Sequence, residues 1–135
     1  MSYYSINEWE NRIMKRVETY CIYSMNEYKK VRKMIHETLV DYFSGDKMLV
    51  DLALFEAVKN AMEHGNQGNS NNPIEIKLHF LDHSLIARIE DQGKGSNWQD
   101  DLDKNGEGLH LIGQIMDSVV YSKKGNQILM RKWVS

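Results

Sequence analysis

The 135-residue sequence predicts an α+β fold, a two-layer α/β sandwich in which helices cover one face of a mixed, mostly antiparallel sheet. Three observations carry the prediction. Apolar residues recur at spacings of three and four between residues 26 and 64, the period of a helix. Beyond residue 74 the period changes to two, the signature of strands. Between the two regimes, residues 65–73 are almost wholly Gly, Asn, Gln, Ser and Pro, a run of turn formers that breaks the chain.

Taken in order, residues 17–23 hold Val, Thr, Ile and two Tyr and read as a first strand with imperfect alternation. Val31, Met34, Ile35, Thr38 and Leu39 mark one face of a first helix, with Asn26 as its expected N-cap and Ser44 and Gly45 at its end. A second helix is expected from about Asp46 to His64, closed by Gly65. Ile74, Ile76, Leu78 and Phe80, then Leu85, Ala87 and Ile89, form a hairpin about Asp82 and His83. A polar, Gly-rich segment covers residues 92–106, and a short helix follows over residues 109–116. Residues 119–121 and 128–133 flank a turn at 123–126 and make a second hairpin.

Composition narrows the function. With 17 Lys and Arg against 19 Asp and Glu the net charge is −2, and near-neutrality gives no electrostatic case for direct nucleic-acid binding. The longest strongly apolar stretch, residues 48–58, is interrupted by Asp51 and Glu56 and falls short of the roughly 20 residues needed to cross a bilayer. No basic start followed by an apolar run suggests a signal peptide. One cysteine, Cys21, permits no internal disulfide and is expected as a packed core thiol in a reducing compartment. The expectation is a single domain over residues 1–135, cytoplasmic, with residues 1–14 as an N-terminal extension. Tyr3, Tyr4 and Trp9 in that extension could cover an edge or a homodimer contact.

Glu56, Asn60 and His64 lie four apart and drift only about 40° per step, so they form one polar stripe on the second helix. Leu54, Ala57, Val58 and Ala61 occupy the neighbouring face, which puts the stripe at the core margin, while Lys59 and Glu63 are expected to face solvent. A set of satisfied boundary residues would look the same. Downstream, Asp91 with Gly93 and Gly95 ends a strand, where a carboxylate can accept from an amino group and glycines admit a ligand to the backbone. Gly106 and Gly108 open a helix whose free N–H groups and dipole suit an anion. Each could be an ordinary turn, and the P-loop pattern is absent.

In this order the three patterns resemble the nucleotide-binding GHKL superfamily. Residues 55–65 resemble its N box, residues 91–95 its first glycine box and residues 106–112 its second. The short spacing between the glycine boxes, with Asn26, Tyr28 and Arg32 on the first helix, resembles the anti-sigma-factor serine/threonine kinases. The resemblance implies the Bergerat, histidine-kinase-like ATPase fold. It implies that Glu56 is the general base and that Asn60 coordinates Mg²⁺. By the same resemblance Asp91 accepts from the adenine amino group, while Gly93 and Gly95 let ATP lie close. Residues 96–105 would form a lid, Gly106, Gly108 and Leu109 would present N–H groups to the phosphates, and His64 and Gly65 would shape the pocket. Arg32 would contact a partner, either a sigma factor or a small anti-sigma antagonist. Glu107 stands where many relatives carry Arg, Ser96 replaces a common Phe, and Asn126 and Gln127 stand where a Thr is usual. A nucleotide-dependent partner switch with little kinase activity is the alternative.

Overall fold

The computed structural model describes residues 14–65, 72–92, 108–122 and 125–134, with the side chains of residues 14, 15, 64 and 65 excepted. Strand β1 (Met14–Ile22) leads into helix α1 (Met25–Tyr42) and helix α2 (Lys47–Asn60), whose end widens into a π-helical turn (Ala61–Gly65). Strands β2 (Ile74–Leu81) and β3 (Ser84–Asp91) follow, then helix α3 over residues 108–115, β4 (Ser118–Tyr121) and β5 (Gln127–Trp133). The sheet order is β1-β2-β3-β5-β4, and every pairing is antiparallel, so the expected mixed character is not seen among the described strands. The α+β sandwich itself is as predicted.

Period-two alternation decides which face is covered. Ile74, Ile76, Leu78 and Phe80 on β2, Leu85, Ala87 and Ile89 on β3, and Ile128 and Met130 on β5 are all buried against the helices. Tyr28, Ile35 and Leu39 of α1, Val50, Leu54 and Val58 of α2, and Leu109 and Ile112 of α3 fill the space above them. Each such side chain withdrawn from water contributes about 1.5–3 kcal/mol before conformational entropy is counted. Lys77, His79, Arg88 and Arg131 lie on the opposite face by the same alternation. No helix among the described residues is long and apolar enough to cross a membrane.

Three local features differ from the sequence expectation. Ser24, rather than Asn26, caps α1: its Oγ accepts from the Glu27 N–H at 3.2 Å, and the Glu27 carboxylate reaches back to the Tyr23 N–H at 3.4 Å. This is the reciprocal logic of a capping box, and the Ser-x-x-Glu spacing was present in the sequence. Strand β1 starts at Met14, three residues early, because β2 is long enough to pair with it back to Leu81. Cys21 is exposed, not buried. Glu18, Tyr20 and Ile22 take the helix-facing positions of β1, so Cys21 points to the other face of an edge strand.

Polar contacts fasten the helices. The Tyr42 hydroxyl sits between the carbonyl oxygens of Leu81 and Ser84, 2.7 Å from the latter, and ties the end of α1 to the β2–β3 turn. Burial, helped by Asp82, pushes this phenol up to about 12. Lys132 Nζ donates to the Ile115 carbonyl at 2.8 Å and satisfies the end of α3. Arg32 is likewise engaged within the chain. Its Nε donates to both Asp51 oxygens at 3.2 and 3.1 Å, its Nη2 to Oδ2 at 2.7 Å, and its guanidinium lies 4.7 Å from the Phe55 ring centroid. Arg32 thus clamps α1 to α2.

Removing that clamp leaves a half-buried Asp51 unpaired and Phe55 uncovered. Because the guanidinium is about one-third exposed (36% of its side-chain surface), solvent screening moderates the cost. Arg32→Ala should lose about 1–2 kcal/mol and several degrees in thermal melting, while exposed Lys30→Ala should be neutral. A second expectation concerns acid. Burial foremost, then Lys77 and Arg88, hold His79 below its ordinary 6.5. The neutral imidazole is thus favoured in the native state, so its contribution is complete above pH 6.5 and is lost as the pH falls through the lowered value. Denaturant melts at pH 7.5 and 5 should show a smaller acid loss in His79→Gln than in the parent.

Candidate functional site

Helix α2 has two working faces. Asp51 and Phe55 turn toward Arg32 of α1, and Glu56 and Asn60, one step round the helix, turn toward the start of α3. The approach of α3 is close. A Cβ added to Gly108 would lie 2.8 Å from Glu56 Oε2 and 3.6 and 3.8 Å from the Asn60 amide atoms Nδ2 and Oδ1. A side chain at position 108 would crowd the Glu56 carboxylate, whereas its distances to Asn60 would be ordinary contacts. The structure thus joins one member of the predicted phosphate-binding turn to two members of the predicted polar stripe, across 48 residues of sequence.

Asn60 is 3% exposed, and its Nδ2 is buried without a protein partner among the described residues. An unmet amide donor in such a place costs about 1–3 kcal/mol, so it fits a site that receives an anionic oxygen. The same amide offers a hard oxygen of the kind Mg²⁺ prefers. Glu56 keeps 14% of its side-chain exposure and is open enough to meet a substrate. The chain then turns through the wide Ala61–Gly65 π turn, which packs on β3. Insertions of this kind often mark functional positions, and here the turn redirects the backbone immediately after Asn60. His64 and Gly65 occupy it, but their side chains lie outside the described residues.

Asp91 stands at the end of β3 and is 3% exposed. Its backbone is gripped from both sides of the peptide: its N–H donates to the Asn126 carbonyl at 2.9 Å, and its carbonyl accepts from Asn126 Nδ2 at 3.4 Å. Asn126 is itself held by Ser122 Oγ at 3.2 Å in the turn where Gly125 takes φ 75°. This clamp is a site feature that residue spacing did not identify. Gln127 Nε2 meets Glu90 Oε2 at 3.3 Å, one register position away. Leu109 is buried under α3 and anchors that helix. Gly93, Gly95 and Gly106, the proposed lid at 96–105, Ser96 and Glu107 lie outside the described residues.

Lys59, expected to face solvent, keeps 38% of its side-chain exposure, and its Nζ also lies 3.2 Å from Glu56 Oε2. The i,i+3 spacing of Glu and Lys on a helix was the available signal. No group of three or more His, Cys, Asp or Glu among the described residues is placed to hold a metal. A separate groove of about 610 Å³ runs along α1, lined by Lys29, Arg32, Lys33, His36, Glu37 and Asp51.

Comparison with known proteins identifies the family. Residues 25–132 match the family described as histidine kinase-like ATPase domain. A protein named anti-sigma F factor from Clostridium botulinum (strain Eklund 17B / Type B) is 27% identical over 97 residues, which cover 62% of this chain and 68% of that protein. A protein named serine-protein kinase RsbW from Listeria innocua serovar 6a is 25% identical over 100 residues, covering 62% of this chain and 64% of that protein.

The Gly108 contact makes a prediction of its own. In Gly108→Ala the new methyl must displace the Glu56 carboxylate, a flexible group that can swing aside without unfolding the chain. The variant should melt within a few degrees of the parent yet bind ATP at least about tenfold more weakly, as measured by calorimetry, because the phosphate end of the site is rebuilt.

Proposed function

The chain belongs to the histidine kinase-like ATPase domain family, and from that premise we propose that it is an ATP-dependent serine/threonine protein kinase acting as an anti-sigma factor. In this reading it binds a sigma factor and phosphorylates a small antagonist protein, in keeping with the names of its relatives. The observation that carries the proposal is the meeting of Glu56 and Asn60 with Gly108. A general base, an amide and a helix start converge on one point, and all are needed at the terminal phosphate of a nucleotide.

The chemistry follows from those positions. Asp91, held by Asn126, accepts the hydrogen bond of the adenine amino group and fixes the base. The N–H groups at the start of α3 bind the phosphate oxygens and face the charge that develops there. Glu56 takes the proton from the seryl or threonyl hydroxyl of the substrate as that oxygen bonds to the γ-phosphorus and the bond to the ADP oxygen breaks. Mg²⁺ on Asn60 would supply charge neutralisation among the phosphate oxygens. The basic groove along α1, with Lys29, Lys33 and His36 beside the Arg32 clamp, is the surface offered to an acidic partner.

Radiolabel transfer from ATP to a co-purified antagonist tests the proposal. Glu56→Gln should keep ATP affinity within a few-fold while transfer falls by about 10² to 10⁴; near-normal transfer would make Glu56 a structural residue. Asp91→Asn should leave the fold intact and sharply weaken ATP binding, since an amide donor would face the adenine amino group. Unchanged affinity in that folded variant would contradict the adenine assignment.

A further inference from the structure

Lys59 is the one cation brought onto Glu56 among the described residues. Its Nζ lies 3.2 Å from Oε2, the same carboxylate oxygen that comes closest to Gly108. Its side chain is 38% exposed against 14% for Glu56, so the ammonium sits on the solvent side of the pair and the carboxylate on the protein side. The Phe55 ring, with its centroid 6.0 Å from Nζ, borders the stem. Next along α2, Asn60 is neutral and carries the unpartnered Nδ2. A terminal phosphate seated beside these groups brings two negative charges next to a half-buried carboxylate, and like charges at such range strongly oppose binding unless a cation lies between them.

We propose that Lys59 is a γ-phosphate-binding residue, a shared cation that bridges the Glu56 carboxylate and the terminal phosphate and so makes the site prefer ATP over ADP. The inference rests on the nucleotide assignment above and adds to it the residue that recognises the third phosphate. The contact is exposed and one-sided, as a group that exchanges or shares partners requires. The pair stands on the carboxylate oxygen that comes nearest the start of α3.

Calorimetric titration of the full chain with Mg·ATP and with Mg·ADP tests this, using the parent, Lys59→Met and Lys59→Arg. Lys59→Met should weaken ATP by about 10- to 100-fold, the range of a charge-assisted hydrogen bond, and ADP by less than about threefold. Lys59→Arg should restore ATP affinity to within about threefold of the parent, and all three proteins should melt within a few degrees of one another. Equal weakening of ATP and ADP, or no weakening of ATP, would overturn the assignment of Lys59 while leaving the nucleotide site standing. A folded parent that binds neither nucleotide would overturn the site itself. Should Lys59→Met not fold, Lys59→Gln gives the same comparison.

Discussion

The near approach of Gly108 to Glu56 and Asn60 is the constraint around which the rest of the molecule is arranged. A side chain at position 108 would press on the Glu56 carboxylate at the start of α3. The close approach is maintained from below and from behind. Leu109 and Ile112 sink α3 into the core, and Lys132 satisfies its last turn through the Ile115 carbonyl. On the other side, α2 is fixed to α1 by the Arg32–Asp51 ion pair and by the guanidinium over Phe55. Rotation of α2 would therefore break the clamp on one face and misplace Glu56 on the other. Stability and site geometry are coupled through one helix.

The polar groups along that helix divide by burial. Asp51 finds its cation within the chain, whereas Asn60, more deeply buried, keeps an unpartnered donor. A structure selected for stability alone would have satisfied it or replaced it with an apolar residue. Asn60 stands where the α-helix gives way to a π turn.

Much of this was legible before any coordinates. The change of period after residue 74 placed the hairpins, and the four-residue spacing of Glu56 and Asn60 placed them on one helix face. Periodicity could not show which glycine would meet that face, because the contact is long-range and depends on how α3 docks. Nor could it show the contact of Arg32 with Asp51, 19 residues along the chain, or the orientation of Glu56 toward Lys59. Cys21 failed for a related reason: a β-branched and aromatic run suggests burial, but an edge strand with one covered face buries only alternate residues. Asn126 was legible as a departure from the family pattern, but its grip on the Asp91 backbone required the β3–β5 register.

The central claim is that Glu56, Asn60 and the start of α3 form one ligand-binding point. Nuclear magnetic resonance mapping of the backbone and side-chain amides during titration with Mg·ATP tests it most directly. The account predicts that the Asn60 side-chain amide and the backbone amides of Gly108 and Leu109 shift together, with a common saturation curve. Shifts confined to the groove along α1 or to the face bearing Lys77 and Arg88, with the Asn60 amide unmoved, would contradict it.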